Sequence, residues 1–191
     1  MHILFWTPVG GFLCGSIPFG VLVGKRLGID IQKRGSGNIG FANSLRVMGW
    51  EPALIVLIAD ISKGYVPTLF ALHYFGLGTL TLLTSFAAVV GHILSPWLGF
   101  RGGKGVATMI GVTMALCYPV GLLAAIAWII LFRIWKTASV GSLAIPFLIL
   151  FAVYFVRPQL LYFYVVMVMI LLITLRSNIA KLIAGNELTA I

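Results

Sequence analysis

Apolar runs of about twenty residues, separated by short basic segments, dominate the chain. Residues 3–24 are uncharged and end at Lys25 and Arg26, long enough for one crossing at about 20 residues per span. Within this run and just beyond it, Gly11, Gly15, Gly20, Gly24 and Gly28 fall mostly four apart, a ridge suited to close helix packing. Residues 28–49 are basic, glycine-rich and too polar for lipid. Residues 52–75 form a second span, opened by Pro52 as a first-turn proline, and residues 77–100 a third. The 28 residues between Lys104 and Arg133 carry no charge. As one helix they would extend about 42 Å, long for a single crossing, and Tyr118-Pro119 sits mid-run where proline breaks a helix. Two short helices meeting at Pro119 put Arg101 and Lys104 on the same side as Arg133 and Lys136. Residues 137–156 and 159–175 make the last pair around Arg157-Pro158, and the tail from residue 185 reads as frayed.

This pattern predicts an all-α integral membrane protein. Its seven-span transmembrane helix bundle forms a single domain, residues 1–191, with the N-terminus outside and the C-terminus cytoplasmic. Every Lys and Arg except Lys63 and Arg157 then faces the cytoplasm. Composition agrees: the chain is 61% hydrophobic and 9% charged, where a soluble domain carries about 25% charged residues. A net charge of +9 would suit nucleic acid, but the cations stand at the ends of apolar runs. That placement fits topology signals, anionic lipid or an anionic substrate, and no nucleic-acid partner is expected. The N-terminal run lacks leading cations and a small-residue cleavage site, so it reads as a retained span. Cys14 and Cys117 lie in apolar runs and imply no disulfide.

Candidate chemistry sits in the polar segments. Residues 99–108, GFRGGKGVAT, crowd glycines around Arg101 and Lys104, and the helix that follows adds its positive end; backbone amides and cations together make an anion site. A Walker A loop is excluded because Gly105 follows Lys104. The match of Gly35-x-Gly37-x-x-Gly40 to a dinucleotide fingerprint lacks its strand and βαβ setting. Residues 35–46, GSGNIGFANSLR, offer Ser36, Asn38, Asn43 and Ser44 as neutral hydrogen-bonding groups and Arg46 as a fork suited to phosphate. Asp60 and Lys63 share one helical face; they read narrowly as a structural ion pair, with bracing of the anion site as the alternative. His92 lies two to three turns before this basic loop and is as suited to the core as to the site. The seven-span topology gathers residues 35–46, 99–104, 139–142 and 176–181 at one face. A pocket so built holds one or two phosphates beside an acyl chain. Acids are nearly absent, which argues against two-metal phosphotransfer, and no metal or cofactor is expected. No His is followed by Asp four residues on, so the soluble acyltransferase pattern is excluded and an already activated acyl donor is expected.

These motifs resemble the bacterial acyl-phosphate:glycerol-3-phosphate acyltransferases of the PlsY type, over nearly the whole chain. GSGNIGFANSLR resembles the family's first motif, GHILSPWLGFRGGKGVAT (residues 91–108) its second, KTASVGSL (136–143) its third and NIAKLIAGNE (178–187) its C-terminal segment. The resemblance implies transfer of a fatty acyl group from acyl phosphate to the 1-hydroxyl of glycerol 3-phosphate, giving lysophosphatidate and inorganic phosphate. It implies a multi-pass protein of the bacterial inner membrane with a cytoplasm-facing site, and an upstream enzyme that forms acyl phosphate. Ser36, Arg46, His92 and Lys104 are the implied catalytic residues. Gly35, Gly37, Asn38, Gly40, Asn43, Gly102, Gly103, Ser139, Ser142 and Asn178 are the implied substrate-binding ones. The proton of the hydroxyl goes to a substrate phosphate or to His92, and the residues do not choose. Three positions depart from the pattern: Ala42 for a usual Thr, Pro96 one place late, and Leu175 where a His is frequent. A transporter for a phosphorylated anion and a catalytically weak phosphate-binding paralogue are the competing readings.

Overall fold

In lipid, apolar burial gives helices little reason to associate, so close backbone approach and buried polar contacts decide which helices pair. The computed structural model, which describes residues 2–187 and 189, uses both. Among these residues every regular element is helical: α1 (His2–Ser16), α2 (Phe19–Arg26), α3 (Phe41–Met48), α4 (Trp50–Phe75), α5 (Thr79–Ile93), α6 (Val106–Leu116), α7 (Tyr118–Trp135), α8 (Ala138–Val156) and α9 (Leu161–Ile183). Met1, Leu188, Ala190 and Ile191, which belong to the expected 1–191 domain, lie outside the described residues.

Among the described residues six segments are long and apolar enough to cross a bilayer: Trp6–Arg26, Trp50–Phe75, Thr79–Leu98, Tyr118–Trp135, Ala138–Val156 and Pro158–Ile183. The expected seventh, α6, is apolar but has 11 residues. At 1.5 Å per residue it rises about 16 Å, roughly half the hydrocarbon core. The count of full-length spans is therefore six with one half-length helix. The break predicted at Pro119 comes at Cys117, and Pro119 occupies the first turn of α7, where its missing N–H removes no helical hydrogen bond. Gly121 lies against the backbone of Met114. Seven residues along a continuous helix would separate them by about 10 Å, so the chain doubles back here.

The first span is not one straight helix either. Helix α1 stops at Ser16 and α2 starts at Phe19, with Pro18 between them. The break is stitched into the bundle by buried polar groups. The Lys63 ammonium donates to the Ile17 carbonyl at 3.0 Å, and the Ser95 hydroxyl donates to the Ser16 carbonyl at 2.7 Å. The Trp97 indole donates to the Ser16 hydroxyl at 2.9 Å. Lys63 is in turn paired with Asp60 at 2.8 Å, both side chains being buried. The Asp60–Lys63 pair thus bridges α4 to the α1–α2 corner.

Glycine does the rest of the pairing. A Cβ on Gly15 of α1 would overlap the Ala88 carbonyl of α5, and one on Gly64 of α4 would overlap the Thr108 carbonyl of α6. Helices α6 to α9 enclose the main apolar core, which includes Ile149, Met167, Leu171 and Leu175. Within it the Tyr164 hydroxyl donates to Thr113 at 3.1 Å. Large apolar side chains such as Phe70, Ile130, Phe151 and Phe155 face outward, as a lipid-facing surface requires.

Lys63→Met leaves the Asp60 carboxylate buried without its cation and lowers stability by about 3–5 kcal/mol. This is read as a fall in Tm of the detergent-solubilised protein. The double change Asp60→Asn with Lys63→Met recovers a large part of the loss, because the pair's value lies mainly in not leaving one charge alone.

Candidate functional site

The first polar segment is a loop wound around one side chain. Asn43, buried on α3, accepts the Ser36 amide N–H on Oδ1 at 2.8 Å. Its amide nitrogen faces the carbonyls of Ile31 (3.2 Å), Arg34 (3.0 Å) and Asn38 (2.9 Å). With its polar capacity spent on the loop, Asn43 acts as a frame. Gly35 sits at φ +59 directly over this amide, where any Cβ would overlap it. Asn38 closes the loop by accepting the Gly40 amide at 2.8 Å. Ser36, Asn38 and Gly40 are thereby turned into a cavity, whereas Gly35 and Gly37 stay behind it. One turn beyond Asn43, Arg46 lines the same cavity; its Nη1 donates to Asn43 Oδ1 at 3.2 Å and its Nε to the Thr189 carbonyl at 2.9 Å.

The second segment corrects an expectation. Gly102 and Gly103 do not offer free amides to a ligand: their N–H groups donate to the carbonyls of Ile93 and His92, each at 2.9 Å. Neither lines the cavity. Glycine is needed there because a Cβ on Gly102 would overlap the His92 carbonyl and one on Gly103 the His92 ring. Arg101 points outward and is exposed. What the segment delivers is Lys104. The Thr174 hydroxyl donates to its carbonyl at 2.9 Å, Gly105 at φ +89 turns the chain into α6, and the ammonium donates to Asn178 Oδ1. Burial pushes the Lys104 pKa down to about 8; Glu187 opposes the fall, and Lys181 and Arg46 add to it.

Helices α8 and α9 supply the far wall. Ser142, Asn178 and Lys181 line the cavity. Ser139 is fully buried just behind, accepting the Asn178 amide and donating to Glu187 Oε1 at 2.6 Å. Glu187 itself was not expected in the site; it is the last letter of the NIAKLIAGNE segment, and nothing in its spacing announced a role. Leu175 is fully buried in the apolar core and does not reach the cavity, whereas Ala42 lines it. On the α4–α5 side the cavity meets Asp60 and His92. His92 Nδ1 has no hydrogen-bond partner and lies 3.7 Å from Asp60 Oδ1.

The cavity holds about 140 Å³ of free space. It is polar at one end, where Arg46, Lys104 and Lys181 gather, and apolar at the other, where Leu57, Ile110, Trp128 and Ile129 line it. Ile129 is itself half exposed on the outer face of α7, so the apolar end reaches toward the lipid side. Edge-on contact of Phe41 with Trp128, ring centroids 5.5 Å apart, and stacking of Trp128 on Phe132 at 5.2 Å stiffen that wall. An anionic head with an apolar tail fits this division.

A family of glycerol-3-phosphate acyltransferases matches residues 5–185. A glycerol-3-phosphate acyltransferase of Trichlorobacter lovleyi is 41% identical over 189 residues, 96% of this chain and 95% of that protein. One of Aquifex aeolicus is 35% identical, covering 98% of both. Among solved structures, the glycerol 3-phosphate form of PlsY, an integral membrane glycerol 3-phosphate acyltransferase, superposes with a TM-score of 0.92 at 30% identity, covering 97% of this chain and 94% of that one. Its lysophosphatidic acid form gives 0.90 at 31%.

A lysine is a cation below its pKa, so the anion site loses charge as pH rises through about 8. Affinity of the free protein for sulfate, a dianion throughout this range, measured by titration calorimetry, therefore drops about twofold by pH 8 and approaches a tenfold fall per unit well above it. Lys104→Arg, charged throughout, removes the dependence.

Proposed function

The chain belongs to the glycerol-3-phosphate acyltransferase family, and on that premise we propose that it transfers a fatty acyl group from acyl phosphate to the 1-hydroxyl of glycerol 3-phosphate in membrane phospholipid synthesis. The observation that carries this reading is the convergence of Arg46, Lys104, Ser142 and Asn178 on one cavity with an apolar far end. The acceptor's phosphate pairs with Arg46 and Lys104, and Ser142 and Asn178 donate to its remaining oxygens. Ser36, with the turn at Asn38 and Gly40, holds the acyl phosphate head, and its chain follows Trp128 and Ile129 toward lipid. Gly35 and Gly37 shape that turn from behind, and Asn43, which lines the cavity itself, frames it; Ser139 orients Asn178, and Gly102 and Gly103 seat His92.

In the step itself the 1-hydroxyl oxygen attacks the acyl carbonyl carbon. The C–O bond to phosphate breaks, leaving lysophosphatidate and inorganic phosphate. Acyl phosphate is a mixed anhydride whose leaving group needs little help, so alignment and stabilisation of the developing oxyanion supply most of the rate. The hydroxyl proton passes to a substrate phosphate or to His92, whose ring borders the cavity. An enzyme that forms acyl phosphate feeds the reaction.

We also propose one domain over residues 1–191, in the bacterial inner membrane, with seven crossings, the N-terminus outside and the site open to the cytoplasm. The half-length α6, folded back on α7, completes the seventh crossing. The clustering of Lys and Arg at the segments that build the cavity supports this orientation, and the 11-residue length of α6 supports a site set into the membrane surface, since a crossing helix that short must start below it.

Purified protein supplied with acyl phosphate and labelled glycerol 3-phosphate yields lysophosphatidate. Lys104→Ala and Arg46→Ala each lower kcat/KM by about 100-fold, the size of one charge-assisted hydrogen bond of about 3 kcal/mol. Activity surviving both changes would sink the assignment of these residues.

A further inference from the structure

Acyl transfer as described leaves Asp60 without a part in it. Asp60, on α4, and His92, on α5, both border the cavity, yet their side chains are almost wholly buried, at 3% and 4% exposure. Polar atoms so placed are as a rule hydrogen-bonded, and each exception calls for a reason. Here His92 Nδ1 has no hydrogen-bond partner, and neither has Asp60 Oδ1. Lys63 balances the carboxylate's charge from 2.8 Å, but its aligned hydrogen bond goes to the Ile17 carbonyl. A carboxylate oxygen beside a cation still has lone-pair capacity to fill. The two bare atoms lie 3.7 Å apart, too far for a bond between them.

Their chemistry is complementary. A neutral imidazole carries its proton on one nitrogen, and the carboxylate beside Nδ1 favours that one. Nδ1–H is then a donor and Oδ1 an acceptor, and one oxygen placed about 2.8 Å from each would be within reach of both. That oxygen must accept from the imidazole and donate to the carboxylate, as a hydroxyl does. A phosphate dianion or a carbonyl has no proton to give and does not fit.

The gap is also well placed. A Cβ on Gly103 would strike the His92 ring, and the next residue is Lys104, whose ammonium is assigned to phosphate. The donor's head and chain are assigned to other elements, the turn before α3 and the face of α7 that carries Trp128 and Ile129. The hydroxyl that attacks must be directed to that donor, so the hydroxyl left for Asp60 and His92 is the one that does not react. We propose that Asp60 and His92 form a hydroxyl subsite that holds the secondary 2-hydroxyl of glycerol 3-phosphate. This rests on the acyl-transfer reading for the identity of the acceptor. With the phosphate at Arg46 and Lys104 and the 2-hydroxyl here, the remaining arm of the glycerol is aimed at the acyl carbonyl. The same arrangement selects one of the two mirror-image glycerol phosphates, because in the other the 2-hydroxyl points away from the subsite.

The test compares glycerol 3-phosphate with 3-hydroxypropyl phosphate, which lacks the 2-hydroxyl, and with its mirror image, glycerol 1-phosphate. Wild-type protein acylates each alternative with kcat/KM about 100-fold lower, since both leave the buried pair unmatched. His92→Leu narrows these ratios to about threefold, whatever it does to the absolute rates; a merely structural loss would lower all acceptors alike and leave the ratios standing. His92→Asn, which keeps a donor near the Nδ1 position, restores a preference of about tenfold or more. Asp60→Leu with Lys63→Met removes the acceptor without stranding a charge and narrows the ratios in the same way. Equal rates with all acceptors in the wild type, or ratios unchanged in these variants, would overturn the subsite and leave the gap to water only. Titration calorimetry separates the subsite from the reading it rests on. If no acceptor is acylated, acyl transfer fails, and the subsite stands when glycerol 3-phosphate binds the wild type about tenfold more tightly than 3-hydroxypropyl phosphate; equal affinities sink it. Should the double variant not fold, the His92 variants decide.

Discussion

Keeping a cation charged at the edge of a hydrocarbon layer is the constraint on which the rest of this structure depends. Burial lowers the proton affinity of Lys104 to within reach of physiological pH, and a neutral lysine would leave the polar end of the cavity with less charge. The protein answers with a chain of polar groups drawn from three helices and the tail. Lys104 leads into α6, Asn178 sits on α9, Ser139 on α8, and Glu187 closes the series. None of these groups finds its partner locally; the links among them skip 39 to 74 residues. Assembly of the site and assembly of the helical bundle are thus one event.

The same economy governs the other half of the molecule. Asp60 and Lys63 form an ion pair deep in the bundle, but they do more than cancel each other. Lys63 also satisfies the Ile17 carbonyl at the α1–α2 corner, and Asp60 borders the cavity beside His92. The structural role expected of this pair is occupied, and Asp60 in addition borders the cavity. Glycine serves a matching purpose at the second polar segment: its absence of a side chain lets residues 102 and 103 lie flat on His92 and aim Lys104 inward.

Much of this was legible in the residues. Run lengths, the cations that end each run and the proline in the long uncharged stretch indicated a helical membrane bundle with polar segments at one face. Those signals are local, because the cost of charge in lipid and the geometry of proline act wherever they occur. Ser36, Arg46, Lys104, Ser142 and Asn178 were read from motifs, and all five line one cavity. What the motifs could not reveal is how hydrogen-bonding capacity is shared out. Gly102 and Gly103 carry the same residue type as ligand-binding positions, yet their amides are spent on the fold, and Asn43 lines the cavity while its amide also holds the loop.

The sequence by itself determined the class of the protein, its apolar segments and several of the polar residues that line its cavity, because each follows from composition within a short window. The tertiary structure alone decided the corner at Ile17–Pro18, the burial of Leu175 and the return of the tail onto Arg46. Each of these depends on a partner distant in the chain. A hydrophobic pattern reports that a face is buried or a segment is polar; it does not report against what. Tail residues that look frayed by position are held by charges more than eighty residues upstream, and only the folded arrangement brings those charges within reach.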